Sequence, residues 1–167
     1  GIPATYGGRI SSVLRIDQKE GAKDQLRFNG GIGAVSSRAL LEGPLGNGSF
    51  ILAGRGTYAH LFLKAFYQPN LAYFYDLNTK ITLPIDEKNR LLISGYFGRD
   101  VVSFDNTFEN SYGNTVVNLR WNRIFSPKIF GNLSLIYSDY YYGLALDFVG
   151  FDWDSGIQNF HLKYDFN

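Results

Sequence analysis

Hydrophobic and polar residues alternate along most of this chain with a period of two. The clearest stretch runs from Leu71 to Leu83, where every second residue is apolar, aromatic or threonine and Asp76, Asn78 and Lys80 lie between them. Successive side chains of a β-strand point to opposite faces, so this pattern predicts a strand with one apolar and one polar face. No stretch of the sequence shows a helical period.

The same alternation predicts about eight consecutive antiparallel strands. They cover approximately residues 25–33, 36–45, 49–60, 71–83, 90–104, 112–125, 129–142 and 159–166. Short connections at 46–48, 86–89 and 126–128 alternate with longer ones at 61–70, 105–111 and 143–153. Gly46-Asn47-Gly48 is a strong hairpin signal. We therefore expect an all-β, antiparallel up-and-down fold in which the hairpin is the repeating unit.

Alternation alone does not say what covers the apolar face, which a soluble sandwich buries and a membrane barrel turns toward lipid. Three features favour a transmembrane β-barrel. The predicted strands often exceed 10 residues, whereas those of globular proteins cluster near 5–6. Short turns alternate with longer loops, and aromatic residues such as Tyr140, Tyr141 and Tyr142 gather near strand ends, as in the girdles of outer-membrane barrels.

The barrel interpretation assigns a direction to each face. Charged residues at a lipid-facing midplane would cost about 2–4 kcal/mol, so polar positions must point inward. The positions predicted to face the lumen are Arg27, Arg38, Glu42, Arg55, Asp76, Lys80, Arg120, Asn122, His161 and Lys163. The positions predicted to face lipid are Leu119, Trp121, Leu133, Leu135, Tyr137 and Leu162.

Composition excludes several classes of protein. The 167 residues carry a net charge of +1 without any block of like charge, which argues against a nucleic-acid partner. The absence of cysteine excludes disulfide scaffolds and thiol chemistry. No run approaches the roughly 20 apolar residues of a membrane-spanning helix, and no signal peptide opens the chain. Because Gly1 is not a natural start, we expect a mature or internal segment.

Candidate catalytic and metal-binding residues are few. His60 and His161 have no metal-like partner at a fixed spacing, and no nucleophile elbow occurs. Asp147, Asp152 and Asp154 lie in one predicted loop and could offer carboxylates to Ca²⁺, but their spacing matches no known calcium loop, so a solvated acidic loop is favoured. We expect neither an enzyme nor a cofactor.

The chain carries Ala-Thr-Tyr-Gly-Gly-Arg-Ile-Ser-Ser-Val-Leu at residues 4–14 and a charged stretch at 19–24. These segments resemble the end of the plug domain and the charged linker of TonB-dependent outer-membrane receptors of the large SusC-like branch. Segments 36–44, 54–55 and 94–100 resemble the barrel strands that follow. The resemblance implies that residues 1–20 end a plug with its last strand, and that 21–167 begin a larger barrel of which this chain carries about eight strands.

The resemblance also implies a function, which is active uptake of a nutrient of the siderophore, glycan or peptide class across a Gram-negative outer membrane. The implied partners are outer-membrane lipid, the remaining plug and strands, an energising TonB complex contacted through segments absent here and, by analogy, a surface lipoprotein. The inward polar residues are then expected to contact the plug and hydrate the lumen rather than guide substrate. The alternative is a complete eight-stranded, OmpA-like barrel with a structural or adhesive role; a barrel-borne hydrolase lacks a nucleophile and a base.

Overall fold

The computed structural model describes residues 17–58, 60–61, 71–105 and 107–166. The strands are β1 (Arg27–Ile32), β2 (Ser36–Leu45), β3 (Gly48–Thr57), β4 (Leu71–Pro84), β5 (Asn89–Phe104), β6 (Phe108–Ser126), β7 (Ile129–Leu146) and β8 (Phe151–Phe166). They form one antiparallel sheet in which each strand pairs with its neighbours in the sequence. The predicted all-β, up-and-down fold is confirmed.

Strand ends differ from the prediction at one end of the sheet. β6, β7 and β8 extend beyond their predicted bounds, so the connections expected at 105–111 and 143–153 shrink to 105–107 and 147–150. The prediction of two long loops there was wrong. Polar residues such as Asn110 and Ser111 continue β6, and at the start of β8 Phe151 and Trp153 alternate with aspartates in the opposite phase to Phe160 and Leu162. Asp152 and Asp154 therefore lie in β8 rather than in a loop. The predicted plug strand before residue 17 and positions 62–70 of the remaining connection lie outside the described residues.

Three tight connections define what we call the turn end of the sheet. Gly46 has φ +57° between β2 and β3, a left-handed conformation that favours glycine. Between β4 and β5, the Asp86 carboxylate accepts hydrogen bonds from the backbone N–H groups of Lys88 and Asn89 at 2.8 and 2.7 Å. A two-residue connection joins β6 to β7. The opposite end, with a 3-10 turn at Asp147–Val149, is called the far end.

The sheet forms a single layer without a conventional core. Among the described apolar residues, only Val101 has a relative exposure as low as 4%, whereas Leu162 and Phe160 on β8 are 75% and 76% exposed. Soluble domains bury such a face against a second layer. No helix within the described residues has the length and apolar character needed to cross a membrane.

The sheet is open, because β1 and β8 do not pair with each other. β1 has 6 residues and β8 has 16, so direct pairing between them would leave most of β8 without a partner. β1 and β8 therefore each present one edge of unpaired backbone N–H and C=O groups, to which a further strand could pair.

Candidate functional site

The strand register separates the predicted positions into two faces. Residues in direct cross-strand register share a face, and the series Glu42, Ile51, Lys80, Ser94, Asn118, Ile136 and His161 runs across β2 to β8 in this way. With two-residue alternation, all ten positions predicted to face the lumen lie on this side, which we call the polar face. The six positions predicted to face lipid lie on the opposite side, the apolar face.

Residues 17–24, which we call the N-terminal segment, lie across the polar face. Lys19 forms an ion pair with Glu42 on β2 at 3.0 Å. Lys80 on β4 donates a hydrogen bond to the backbone oxygen of Gln18 at 2.7 Å. Two predicted inward-facing residues, Glu42 and Lys80, therefore contact the stretch that precedes β1.

The same segment continues toward the turn end of the sheet. Gln18 donates a hydrogen bond to Asn78 at 3.3 Å, and Glu20 forms an ion pair with Arg90 at the start of β5. The chain then reverses into β1 after an ion pair of 2.5 Å between Asp24 and Arg27. Contacts to β2, β4 and β5 thus attach this short stretch to most of the first half of the sheet.

Close backbone packing accompanies these polar contacts. A Cβ atom built on Gly21 would lie 2.0 Å from the backbone oxygen of Phe50 in β3. Real Cβ atoms do not approach a backbone atom so closely, so only glycine fits at this point. Ser49, the residue before Phe50, pairs with Thr82 on β4, and each of the two is 1% exposed on the polar face.

A cavity with a volume of about 710 Å³ lies beside the N-terminal segment on the polar face. Its polar lining combines one end of the segment with side chains from β4, β5 and β6: Asp17, Gln18, Asn78, Lys80, Ser94, Tyr96, Asn114, Asn118 and Arg120. Amide and hydroxyl groups predominate among these residues, with two cations and the carboxylate of Asp17. Such a lining suits hydrogen bonding to water or to a polar molecule.

The remaining predicted inward residues form local pairs along the polar face. Arg55 forms an ion pair with Asp76, and Lys163 forms one with Asp165 at 3.0 Å. Arg120 donates a hydrogen bond to Ser134 at 3.1 Å. Arg38 is in register with Arg55 and lines one concavity with Arg55 and Asp76. Asn122 is in register with Arg90, and His161 lies on β8 next to Lys163 on the same face, so these two do not join that group.

Sequence reasoning missed Asn78 and Arg90 as contacts of the N-terminal segment. Both follow the polar alternation of their strands, Asn78 between Asp76 and Lys80 and Arg90 at the start of β5. The alternation could have identified them as inward-facing. Nothing in the sequence indicated that residues 18–20 would contact them.

The charge of Glu20 depends on its two basic neighbours. Partial burial tends to raise the pKa of Glu20, but the hydrogen bond from Lys23 and the charge of Arg90 more than offset it and lower the pKa below its ordinary value. The carboxylate is therefore favoured in the attached segment. Because the pKa of Glu20 is lowered in the attached state, its carboxylate stabilises attachment at pH values above its ordinary pKa. This contribution is lost as the pH falls through the lowered pKa.

We predict that the N-terminal segment detaches more readily in acid. Hydrogen–deuterium exchange of the amides of residues 18–24 should accelerate, beyond the intrinsic effect of pH, as the pH falls through the lowered pKa of Glu20 and this carboxylate becomes protonated. Glu20→Gln should already exchange faster at neutral pH and respond less to acid. An equal response of the variant and the wild type would contradict the role of Glu20.

The apolar face carries a continuous apolar band with polar edges. On β5 and β6, Arg99 lies at the far edge and Arg123 at the turn-end edge, and the apolar-face positions between them on these strands are uncharged. Arg99 pairs with Gly113, ten positions from Arg123 along β6. At about 3.3 Å per residue and a tilt of 35–45°, ten residues give a height of roughly 23–27 Å.

Both edges of this band shift in the same direction across the sheet. The last apolar residue at the far edge is Phe97 on β5 and Tyr137 on β7, which lies two residues closer to the turn end than Asp139, the residue in register with Phe97. The last apolar residue at the turn-end edge is Trp121 on β6 and Phe166 on β8, which lies two residues closer to the turn end than Tyr164, the residue in register with Trp121. A shift of about one residue per strand is the slope that a level band requires on strands tilted by 35–45°.

Comparison of the chain with protein-family models, curated proteins and solved structures finds no match. Within the described residues, no group of three histidine, cysteine, aspartate or glutamate side chains lies close enough together to hold a metal ion. Two surfaces of the described sheet stand out by their geometry, which are the exposed apolar band and the polar face beneath the N-terminal segment.

Proposed function

We propose that this chain is part of a transmembrane β-barrel in a Gram-negative outer membrane. The observation that carries the proposal is the exposed apolar band on a single-layer sheet, with charged residues at both edges. Its height of roughly 23–27 Å agrees with the apolar belt of about 25 Å in outer-membrane barrels. A soluble sandwich requires a second layer over this face, and none is present among the described residues.

Within this class, we propose a plug-and-barrel receptor of the TonB-dependent type that takes up a nutrient. Support comes from the N-terminal segment, which lies on the polar face before the first strand begins. In a barrel this face lines the lumen, so the segment would bring the preceding chain inside. The family resemblance supports a siderophore, glycan or peptide as the transported class, with the energising complex contacted through other parts of the receptor.

The small closed barrel is the weaker candidate. Closure would require β8, with its 16 residues, to pair with the 6 residues of β1. An interior of eight strands is just wide enough for side chains to fill. The N-terminal segment already lies on the face that would become that interior. A larger barrel provides both further strands and room for the segment.

The membrane proposal predicts that Trp121 and Trp153 respond differently to lipid. Trp121 lies on the apolar face and Trp153 on the polar face. In the complete reading frame, single-tryptophan variants retaining one or the other should be assembled in vesicles with brominated phospholipids. Fluorescence of Trp121 should be quenched and that of Trp153 largely preserved, because bromine on acyl chains reaches only lipid-facing rings. Quenching of Trp153 alone would reverse the faces, and quenching of neither would contradict membrane insertion.

A further inference from the structure

The apolar face has a basic side chain at each edge of its band, and the surroundings of the two differ. Arg123 at the turn-end edge lies between two aromatic rings on its own strand, with its guanidinium carbon 5.6 Å from the Trp121 ring centroid and 5.2 Å from that of Phe125. The ring of Phe166 on β8 extends this aromatic group, since its centroid lies 5.9 Å from that of Phe125. Two aromatic rings of the same strand therefore flank the Arg123 guanidinium.

Arg123 is exposed and unpaired within the described residues. No carboxylate there lies within ion-pair distance of it, and its guanidinium donates no hydrogen bond to any described group. The charge of Arg123 contributes to lowering the pKa of Asp86, but hydrogen bonds from Asn89 and Lys88 are the larger causes. The Asp86 carboxylate accepts four hydrogen bonds from Lys88 and Asn89 in its own turn and forms no ion pair with Arg123, although its charge attracts the guanidinium.

A guanidinium beside aromatic rings is suited to a phosphate group. Cation–π contact uses the flat face of the guanidinium and leaves the N–H groups around its edge free to donate. Phosphate oxygens match this edge in a bidentate arrangement. The apolar band begins immediately beside Arg123, at Trp121 and Leu119, so a ligand here would have both an anionic group and long apolar chains.

We propose that Arg123, Trp121 and Phe125 bind the phosphate group of a phospholipid whose acyl chains lie along the apolar band. This site rests on the proposed membrane function and adds a particular lipid contact to it. The site would fix the depth of the sheet at the turn end, because the cation holds the headgroup layer at one register row of β6.

Arg99 at the far edge provides a matched comparison. It also lies over a ring, with its guanidinium carbon 5.5 Å from the Tyr141 centroid. The apolar-face positions around it at the far end carry four acids, namely Glu109, Asp139, Asp152 and Asp154. These carboxylates repel a phosphate, so the charge of Arg99 alone does not make a similar site.

The test measures phospholipid bound to the protein expressed from its complete reading frame. The purified protein in detergent is titrated with phosphatidylglycerol, and lipid adducts are counted by native mass spectrometry. Arg123→Gln should weaken the tightest lipid adduct about tenfold, because one charge-assisted contact is removed. Arg123→Lys should recover part of the affinity, since it restores the charge but not the planar fork. Arg99→Gln should leave this adduct unchanged.

Two results would overturn the site. One is equal lipid affinity of Arg123→Gln and the wild type; the other is an equal loss in Arg99→Gln, which would indicate a general charge effect. Inorganic phosphate should displace the lipid poorly, and displacement at equal concentration would assign the site to free phosphate instead.

Membrane assembly of each variant is followed in parallel. Normal assembly without specific lipid binding contradicts this site alone, whereas absence of the wild-type protein from membranes contradicts the proposed function.

Discussion

Leu133→Arg should reduce assembly of the protein in outer membranes. Leu133 lies on the apolar face of β7, in register with Trp121 on β6 and Tyr164 on β8, one same-face position deeper than Arg123. An arginine there would place its charge against acyl chains near the interface, at a cost below the roughly 2–4 kcal/mol of the midplane. The measurement is the amount of heat-modifiable protein in outer-membrane fractions, with the complete reading frame expressed.

The neighbouring residue Asn132 provides the control. It is on the polar face, opposite Asn122 on one side and Asp165 on the other, so Asn132→Arg introduces the same charge beside a carboxylate at almost the same depth. Assembly should remain close to that of the wild type. Ser134 is a poorer control because it is 3% exposed and lies in register between Arg120 and Lys163. Equal assembly of Leu133→Arg and Asn132→Arg would refute the lipid-facing assignment of β7.

Strand identity and the partition of residues between the two faces could be read from the sequence. Both depend on the two-residue period of β-strands, which a single substitution rarely conceals. In β4 the predicted strand at 71–83 and the observed strand Leu71–Pro84 differ by one residue. The two-residue period assigns each residue to a face, but it does not tell whether lipid or protein covers that face. Lipid contact at Leu119 or Trp121 therefore stays a prediction.

Strand ends at the far end of the sheet were less predictable. There the alternation of apolar and polar residues stops before the backbone pairing does. β7 continues through Gly143 to Leu146, a stretch without polar side chains, and pairs with β8 over these residues. The family resemblance leads us to expect contact between residues 1–20 and the inward-facing residues, but the particular contacts of the N-terminal segment were not predictable. Its contacts join Gln18 and Glu20 to residues about 60 to 70 positions away, at Asn78 and Arg90. Such pairings arise only after the sheet has formed.

Among the contacts of the N-terminal segment, the close packing of Gly21 against the backbone of β3 is the one that depends most on steric fit. The ion pairs of Lys19 and Glu20 are partly exposed, and pairs of that kind contribute little individually. The approach of Gly21 to the Phe50 backbone is different, because a backbone atom of a paired strand has little freedom to move. Steric fit at this residue therefore matters more than any single charge in the segment.

We expect Gly21→Ala to release the N-terminal segment from the polar face, at a cost of about 1–3 kcal/mol. The added methyl group would lie 2.0 Å from the Phe50 oxygen, so either the segment or β3 must shift. Limited proteolysis of the folded protein should then cut within residues 17–24 several times faster, with the strands still protected. Gly54→Ala is the matched control, because a Cβ there meets its nearest atoms at 3.6 Å, an ordinary contact distance. Release in both variants would indicate a general loss of stability, and release in neither would show that the segment tolerates the shift while its polar contacts hold.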